Sequence, residues 1–387
     1  VAVNKPFPFS TDKIEGIKKG QMVTLKEVMK QVVDSRQIKI IPDRFNKIYH
    51  NWIDNLHDWC ISRQIWYGHR IPVWYHEAKC VPRPGHETDV AKCLRMIISD
   101  VEPVCEFCDA KFIQDEDTLD TWFSSGLWTF STLGWPVSNA AMPGKTTDLE
   151  LFHPTTILET GYDILFFWVA RMILMTGFLL GDIPFRTVYL HGLVRDQKNR
   201  KLSKSLGNAI DPLEMITKYG ADATRMSLII GTAPGNDSKI WDDKIKAYKH
   251  FANKIWNASR YVLENSPDLT TAQNKPDLSD QDQKYLNELE SVFKEVTADM
   301  DNYRFYLAGE KLYHYFWHTF ADKIIEESKL VLSAGSDAEK QSTRYTLLHI
   351  LKTNLALLHP FMPFITEELW QIIGKDQPLI ISPWLTK

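Results

Sequence analysis

The stretch best suited to chemistry is Arg200 to Asn208, which reads RKLSKSLGN. Its lysines, Lys201 and Lys204, are interleaved with the hydroxyls of Ser203 and Ser205. This mixture does not form an amphipathic helix, because no apolar stripe results at helical spacing. It suits a loop that presents cations and hydroxyl donors to a polyphosphate, since lysine is a compact, strongly hydrated point charge. Spacing alone, however, favours a basic solvated turn.

A second group of candidates follows two strand-like segments, TTILET (155–160) and RTVYLHGLV (186–194). A long apolar segment between them predicts a strand, a helix and a strand, which is the pattern of a parallel βαβ unit. Ligands on such sheets bind at the carboxyl ends of the strands. The residues placed there are Gly161, Asp163, His191 and Gly192.

The apolar segment from Ile164 to Ile183 is long enough to be compared with a membrane span. Arg171 lies in its middle, and two glycines and an aspartate occupy its second half. Because a charge in the middle of a bilayer is costly, we predict a buried helix of an α/β domain and no membrane contact.

Composition sets the frame for these candidates. The 387 residues exceed one ordinary domain and suggest two or three. A net charge of −4 gives no global basic field, so any nucleic-acid surface is confined to one face. Five cysteines without a paired framework, and an N-terminus without a basic and then apolar run, predict a cytoplasmic protein.

The pentapeptide KLSKS (201–205) resembles the KMSKS signature of class I aminoacyl-tRNA synthetases, with Leu202 in place of Met. Its surroundings, VYLHGLVRDQKNRKLSKSLGNAIDP, are similar to the valyl branch of that family. So are NWIDNLHDWCISRQIWYGHRIPVWY and DTLDTWFSSGLWTFSTLGWP. The isoleucyl and leucyl branches remain the alternative. Two features argue against them: the segment GHRIP (68–72), and Ser124, which stands where the isoleucyl motif DVWFDSG has an aspartate.

The resemblance implies a role for each candidate. Lys204 approaches the phosphates of ATP with Lys201 as a helper, while Ser203 and Ser205 donate hydroxyls. The adenylate is held by the strand-end residues: Asp163 binds the ribose, Gly161 lets the backbone approach, and His191 and Gly192 border the adenine. The valine pocket is lined by Trp122, Ile164 and Trp168. Capping of a strand end by His191, and core packing of Trp168, are open alternatives.

The implied reaction is ATP-dependent activation of valine, with Mg²⁺ accompanying ATP, and transfer to the 3′ end of valine tRNA by a monomer. The resemblance also implies an editing domain and a His-x-Gly-His motif, and we find neither in these residues. We therefore expect this chain alone not to make valyl-adenylate at a useful rate. A non-catalytic, synthetase-like RNA-binding protein is the other alternative.

The predicted fold class is α/β plus all-α: the second half of a Rossmann-like catalytic domain, a stem-contact fold and a helical bundle. Residues 1–48 form a lead-in and residues 49–192 the catalytic part, with a polar, irregular excursion at 75–116. The KLSKS loop belongs to a stem-contact fold over 193–243. Helical periodicity over 244–387 predicts an anticodon-binding bundle.

Within the bundle, the candidates for reading the anticodon are Asn257, Arg260, Arg304 and Phe305, because exposed polar and aromatic groups bind unpaired bases. Salt bridges and core packing within the bundle are the alternative for each. Trp256 lies near the edge of the apolar stripe and is predicted to be core.

The pair Cys105-x-x-Cys108 is half of a zinc knuckle. The further ligands available nearby, namely Cys80, Cys93, His76 and His86, have no regular spacing. We therefore predict no metal at this pair. Cys60 lies among aromatic residues and is predicted to be core.

Overall fold

The computed structural model describes residues 1–76, 96–105, 108, 111–135, 147–202, 207–208, 210–266, 275–374 and 377–384. The chain forms two compact units, Val1–His191 and Gly192–Lys387. Both classes of structure expected from the sequence are present: the first unit combines strands and helices, and the second is mainly helical. The predicted fold class is confirmed.

The first unit is built from short strands and medium-length helices. Its strands are β1 (Phe7–Pro8), β2 (Met22–Val23), β3 (Lys39–Ile41), β4 (Ser62–Arg63), β5 (Val73–His76), β6 (Met96–Ile98), β7 (Phe112–Gln114), β8 (Thr118–Leu119), β9 (Thr155–Gly161) and β10 (Phe185–His191). Its α-helices are α1 (Leu25–Asp34), α2 (Arg44–Asp54), α3 (Thr121–Gly126), α4 (Trp128–Ser131), α5 (Asp148–Phe152) and α6 (Ala170–Leu179).

A three-stranded parallel sheet forms the centre of this unit, in the order β3-β10-β9. In its register His191 pairs with Gly161, and Tyr189 pairs with both Glu159 and Ile41. The predicted strand–helix–strand unit is therefore present as β9, α6 and β10. All three strands end at the same edge, which brings the candidate residues of two of them together.

Helix α6 follows a 3₁₀ turn (Tyr162–Ile164) and a π-helical turn (Leu165–Val169). By length and composition the stretch Tyr162–Leu179 could cross a membrane. Every residue from Ala170 to Gly177 is buried, however, and the apolar members pack with α1 and the central sheet in one core. Near-continuous apolarity thus reflects burial on all sides of a core helix, as the sequence predicts.

The excursion predicted to be irregular contains a second sheet. Strand β5 pairs in antiparallel fashion with both β6 and β7, giving the order β6-β5-β7. The prediction was wrong because each strand is three or four residues long, and so short a run shows little of the period-2 alternation that identifies a strand.

The second unit begins with a small α/β portion and continues as a bundle. The first portion contains β11 (Val194–Arg195), α7 (Pro212–Tyr219), α8 (Ala221–Ile229) and β12 (Ser238–Lys239), and β11 pairs with β12 in parallel. The bundle helices are α9 (Asp242–Glu264), α10 (Asp280–Asp301), α11 (Phe305–His314), α12 (Ile325–Ala334), α13 (Asp337–Leu358) and α14 (Pro363–Ile372).

The bundle is helical over the range where the sequence shows helical periodicity. A π-helical segment, Tyr315–Ile324, joins α11 to α12, so residues 305–334 form one continuous helical rod with a local change of winding. Serine side chains cap α10 and α13, since Ser279 and Ser336 accept from backbone amides three residues on. Apolar faces of all six helices meet in one core that includes Phe251, Phe316 and Leu351.

Candidate nucleotide, amino-acid and RNA sites

Three of the strand-end candidates converge at the carboxyl edge of the central sheet. A Cβ atom added to Gly161 would lie 2.6 Å from Oδ1 of Asp163 and 3.5 Å from Cε1 of His191. The His191 imidazole is about half exposed, and its Nε2 lies 3.4 Å from Oε1 of Glu159. The lack of a side chain at Gly161 therefore leaves room for one carboxylate and one imidazole to stand side by side, open to solvent.

Two sequence segments that carry the family resemblance pair with each other in a separate two-stranded sheet. Strand β4, from WCISRQ, is antiparallel to β8, from DTLDTWFSSG, with Ser62 opposite Leu119. The Asp117 carboxylate accepts from the hydroxyl of Ser62 and from Nε2 of Gln64, and these bonds lower the pKa of Asp117. Residues more than fifty positions apart are thus joined into one support for helix α3.

Helix α3 carries Trp122 and packs closely on α6. At Gly126 a Cβ atom would lie 3.0 Å from Cγ of Met175, so only glycine fits this approach without a shift. The Trp122 ring stacks on Phe167 with centroids 6.0 Å apart. Nε1 of Trp168 donates to the carbonyl of Ser125 at 3.2 Å. Both predicted pocket tryptophans therefore lie at the contact between α3 and the π-helical turn.

The third predicted pocket residue, Ile164, is half-buried at the end of the 3₁₀ turn. A cavity of about 650 Å³ lies beside α3, but its lining is different. Phe123, Leu127 and Trp135 line it, together with the N-terminal segment and the second half of α6. Trp122 and Trp168, on the wall that α3 forms with the π-helical turn, therefore lie outside the lining of this apolar cavity, and so does Ile164.

The buried carboxylate of Asp120 organises this wall. Its Oδ1 accepts from the backbone amide of Trp122 and caps α3, while its Oδ2 accepts from Nε1 of Trp59 at 2.9 Å and from Arg63 at 2.7 Å. The guanidinium of Arg171 lies over the Trp59 ring, 3.9 Å from its centroid. Burial lowers the pKa of Arg171 to about 10, which the charge of Asp120 partly opposes.

We call Trp59, Arg63, Asp120 and Arg171 the Asp120 cluster. Sequence reasoning missed it, although Arg171 was noted as a charge inside an apolar segment. Its members come from three separate parts of the chain, and no periodic pattern connects them. A charge inside an apolar helix is itself the usable signal, because a buried charge requires a partner.

In the second unit, Gly192 lies against the backbone of a neighbouring loop. A Cβ atom at this position would lie 1.9 Å from the carbonyl oxygen of Asn236, so no other residue fits without a backbone shift. The Asp237 carboxylate accepts from the amide of Leu193 at 2.8 Å and forms an ion pair with Arg195. A packing requirement therefore accounts for Gly192.

The residues that flank the lysine-rich stretch are held together by Asp196. Its carboxylate accepts from the backbone and side chain of Arg200 and from Nδ2 of Asn208, and Asn208 also donates to the carbonyl of Lys201. These bonds, the one from Asn208 foremost, lower the pKa of Asp196 to about 2. Leu202 packs against a small core that includes Ile245.

Lys201 is exposed, and its backbone forms an isolated antiparallel β-bridge with that of Arg195. Ser203, Lys204 and Ser205, to which the resemblance assigns contacts with phosphate, lie outside the described residues. Their roles stay predictions.

Helix α9 presents a polar face, as predicted, and Asn257 and Arg260 are exposed on it. Trp256, predicted to be core, is 41% exposed on the same helix. That prediction was wrong because a residue at the edge of an apolar stripe can be either buried or exposed, and here neighbouring helices do not cover the indole ring. The exposed residues at helical spacing are Lys246, Lys249, His250, Asn253, Trp256, Asn257 and Arg260. We call them the α9 stripe.

The other two RNA candidates are engaged within the bundle. Nε of Arg304 lies 2.8 Å from the buried carboxylate of Asp299, which Lys311 also approaches to 2.9 Å. Phe305 is half-buried and packs on the bundle core. For both residues the structure matches the alternative of structural packing.

The cysteines also differ from expectation. Cys60, predicted to be core, is exposed. It follows Trp59 in a segment without regular structure. The aromatic residues next to it therefore did not indicate whether its side chain is buried or exposed. Cys105 and Cys108 are buried, and one ring nitrogen of His76 lies 3.0 Å from Sγ of Cys108. The three ligand atoms lie within 4.8 Å of one another. These residues could hold a metal ion.

Two family models match the chain. Residues 17–241 match "tRNA synthetases class I (I, L, M and V)", and residues 282–387 match "Anticodon-binding domain of tRNA ligase". The first covers the central sheet, the Asp120 cluster and the lysine-rich stretch. The second covers the bundle from α10 onward.

Similar full sequences carry the name valine–tRNA ligase. The chain is 47% identical to that of Clostridium tetani over 377 residues, which is 95% of this chain and 40% of the relative. It is 45% identical to that of Clostridium acetobutylicum, with the same two shares. The chain therefore spans about two fifths of the length of these curated relatives.

Solved structures show the same fold at low identity. A methionyl-tRNA synthetase of Mycobacterium tuberculosis bound by methionyl-adenylate matches 93% of this chain with a TM-score of 0.67 and 17% identity, over 65% of its own length. A leucyl enzyme of Agrobacterium radiobacter, in a ternary complex with tRNA, matches 86% of this chain with a TM-score of 0.62 and 23% identity, over 42% of its own length.

Proposed function

On the premise that the chain belongs to the class I tRNA synthetases of the isoleucine, leucine, methionine and valine group, we propose that it is part of a valine–tRNA ligase. The complete enzyme would activate valine with ATP to valyl-adenylate and transfer valine to the 3′ end of valine tRNA. This chain would contribute part of the nucleotide site, one wall of the amino-acid pocket and an RNA-binding bundle. A cytoplasmic monomer is part of the proposal.

The observation that carries the proposal is the carboxyl edge of the central sheet. Asp163 and His191 stand over Gly161 at the ends of two adjacent parallel strands. We assign the ribose hydroxyls to the Asp163 carboxylate, which can accept two hydrogen bonds, and the adenine to His191. Helix α3 packs on the π-helical turn that follows β9 and presents Trp122 from its capped N-terminus. The indole ring suits an apolar side chain such as that of valine.

Charge at the phosphates would come from the lysine-rich stretch. When adenylation occurs, negative charge moves onto the departing pyrophosphate, so cations placed there stabilise the transition state more than the ground state. Lys201 and Lys204 are the proposed cations, and Mg²⁺ would enter with ATP as its counter-ion. The hydrogen bonds of Asp196 to Arg200 and Asn208 would hold the two flanks of this stretch in register.

Binding of tRNA is assigned to the α9 stripe. Lys246, Lys249 and Arg260 supply positive charge along one exposed helix face, and Trp256 offers a ring for stacking between them. Cations that track a backbone and aromatic side chains that stack on bases are the two elements of single-strand recognition. Arg260 forms only an exposed pair with Glu264 at 3.7 Å, which an RNA phosphate could displace at little cost.

The first test is tRNA binding by the 387-residue chain at stated salt concentrations. We expect tighter binding of valine tRNA than of the same tRNA with a substituted anticodon, and a loss of affinity with rising salt. Equal affinity for the two tRNAs would remove the anticodon assignment.

The second test is ATP–pyrophosphate exchange dependent on valine, isoleucine or leucine. We expect the 387-residue chain alone to be inactive, and the complete parent enzyme to prefer valine. A parent enzyme that activates isoleucine or leucine in preference to valine would overturn the specificity. Exchange by the chain alone at the parent's rate would show that these 387 residues suffice for catalysis.

A further inference from the structure

The helical bundle contains a cavity that none of the sites assigned above uses. Its volume is about 270 Å³, slightly below the range of about 300–1,000 Å³ for drug-sized ligands. Residues from the first turns of α10, from α12 and from the first half of α13 line it. A cavity of this size can hold a short organic molecule, and the polar groups in its lining indicate which kind.

Asp282 brings a buried carboxylate without a cationic partner to this cavity. The residue is 5% exposed. Its Oδ2 accepts from three neutral hydroxyls, those of Ser279 at 2.7 Å, Ser342 at 2.6 Å and Thr343 at 3.2 Å. Within the described part of the chain, no basic side chain pairs with this carboxylate and Oδ1 accepts no hydrogen bond. Because a buried charge is costly unless an opposite charge compensates it, the cavity favours a positively charged ligand.

Thr346 supplies a second, independent observation. It is 1% exposed and lines the same cavity. Its hydroxyl oxygen is buried and has no hydrogen-bond partner among the residues that the structure describes. A buried hydroxyl that forms no hydrogen bond is unfavourable, so a ligand that donates to this oxygen gains affinity.

The walls of the cavity distinguish an organic cation from a metal ion. Ile324 and Leu347 are buried and Val331 is half-buried, so these parts of the lining are apolar. A hard cation such as Mg²⁺ or Ca²⁺ needs six or more oxygen ligands and would leave the apolar walls uncovered. An alkyl chain covers them and gains the free energy of apolar burial.

The lining also carries negative charge on exposed residues. Glu327 and Glu339 are both exposed, and Oε2 of Glu327 accepts from the hydroxyl of Tyr285. Nζ of Lys323 lies 6.0 Å from the centroid of the Tyr285 ring, so one cation is already attracted to this ring. A second positive charge on the ligand therefore has carboxylates to approach outside the buried part of the cavity.

We propose that this cavity binds a short aliphatic diamine, with one ammonium group on Asp282 and Thr346 and the other at Glu327 or Glu339. An ammonium group donates up to three hydrogen bonds, and a pKa of about 10.4 keeps it charged at neutral pH. The carbon chain between the two groups lies against the apolar walls. Because no residue of the cavity is assigned to nucleotide, valine or RNA, the proposal does not rest on the aminoacylation function.

The test is calorimetric titration of the purified 387-residue chain with 1,4-diaminobutane at pH 7.5 and low salt. We expect one site with a Kd at or below about 1 mM. n-Butylamine has the same carbon chain and a single ammonium group, so it should bind roughly threefold more weakly, the loss for one exposed ion pair. Butane-1,4-diol has no charge and should not bind.

Three variants locate the site. Asp282→Asn should weaken binding of the diamine more than about tenfold, the loss for a hydrogen bond between charged groups. Thr346→Val keeps the shape of the side chain and should weaken binding roughly threefold without lowering the melting temperature, because the hydroxyl it removes has no partner in the free protein. Glu326→Gln is the matched control: it changes an exposed carboxylate beside Glu327 that does not line the cavity, so it should bind as the wild type does.

Each of four results would overturn the proposal. The first is the absence of binding up to about 10 mM diamine, a concentration that would detect even a weak site. The second is equal affinity in the wild type and Thr346→Val, which decides the question even if Asp282→Asn folds poorly. The third is an equal loss in Glu326→Gln, which would indicate unspecific attraction to the acidic surface. The fourth is displacement of the diamine by an equal concentration of Mg²⁺, which would indicate a metal site.

Discussion

The carboxyl edge of the central sheet and the α9 stripe are both proposed to bind ligand, but they are built differently. At the edge, Gly161 and His191 meet only because two strands thirty residues apart pair in register, and the Asp120 cluster behind α3 draws on three parts of the chain. On α9, neighbouring residues three or four positions apart form the surface by themselves. The edge depends on tertiary structure, and the stripe depends on one helix.

Because of this difference, substitutions in the two regions should have different effects on stability and on binding. Substitutions of the buried residues that support the edge alter hydrogen bonds and backbone contacts, so they should lower the free energy of unfolding. Gly161 is the exception, because a Cβ atom there meets only side chains. Substitutions on the stripe affect exposed side chains, so they should change RNA affinity alone. The variants below test this distinction, beginning with the largest expected effect.

Asp120→Ala should lower the free energy of unfolding of the first unit by about 3–5 kcal/mol, because it removes the negative charge beside the buried Arg171, leaves the indole of Trp59 and the guanidinium of Arg63 without their acceptor, and uncaps α3. Urea unfolding followed by tryptophan fluorescence measures this. Glu116→Gln, which changes an exposed carboxylate nearby, is the control and should have little effect. A loss below about 1 kcal/mol for Asp120→Ala would show that the cluster is not a determinant of this wall.

The pair Gly192→Ala and Gly161→Ala compares two glycines with different neighbours. At Gly192 the added Cβ meets a backbone carbonyl, so we expect a loss of about 1–3 kcal/mol in the free energy of unfolding. At Gly161 it meets the side chain of Asp163, which can rotate away. Stability should then change little.

Ligand binding should show the opposite order for these two glycines. We expect Gly161→Ala to weaken binding of a non-hydrolysable valyl-adenylate analogue roughly tenfold, the loss for one charged hydrogen bond. Calorimetric titration measures the dissociation constant of the analogue. If the chain alone binds it too weakly, the same variant is measured in the parent enzyme. An unchanged affinity in Gly161→Ala would argue against a ligand contact by Asp163.

Trp256→Ala should weaken valine tRNA binding by about 1–3 kcal/mol, the range for one stacked base, and leave stability within about 0.5 kcal/mol. Leu330→Ala, at a residue 76% exposed on α12, is the control for loss of exposed apolar area. Arg304→Gln should do the reverse, lowering stability by about 1–2 kcal/mol through Asp299 without changing RNA affinity. Equal RNA affinity in wild type and Trp256→Ala would exclude stacking on this ring.

The smallest expected effect is a change in the stability of the bundle with pH. Burial lowers the pKa of His359, although Glu367 and Asp222 oppose the shift and Arg225 adds to it. Since the folded pKa lies below the unfolded value of about 6.5, the folded state resists protonation. The free energy of unfolding of the bundle should therefore decrease as pH falls below about 6.5 and level off below the folded pKa.

His359→Gln should remove part of that dependence while preserving a hydrogen bond to Thr366, which lies 2.8 Å from Nδ1 of His359 in the wild type. Unfolding of both proteins between pH 7.5 and 5 gives the comparison. Identical slopes would assign the pH dependence to other groups, of which His349 has a pKa lowered by burial as well.

Sequence patterns predicted the elements that contain long, regular runs. The strands β9 and β10, the core helix α6 and the bundle helices were all identified, because burial of one face or of a whole element leaves a periodic or continuous apolar signal. Motif resemblance identified Gly161, Asp163 and His191, whose convergence at one sheet edge the structure displays. Their roles toward a ligand, and the domain boundaries, stay predictions.

The sequence analysis was wrong at residues whose burial follows no regular hydrophobic period. Trp256 and Cys60 were expected in the core and are exposed, and the excursion at 75–116 holds a sheet. The Asp120 cluster escaped notice, and the sequence did not single out His76 among four candidate ligands near Cys105 and Cys108. In each case the decisive partner comes from another segment, and nothing in the local sequence specifies which segment that is.

The amino-acid sequence by itself determined the class of fold, the family and the polar face of α9 apart from Trp256, since these depend on local periodicity and on contiguous motifs. Tertiary structure alone decided which carboxylate supports α3, why Gly192 admits no side chain, and which imidazole joins the paired cysteines. The physical reason is that hydrogen bonds, close packing and metal coordination act over a few ångströms in space, whatever the distance along the chain.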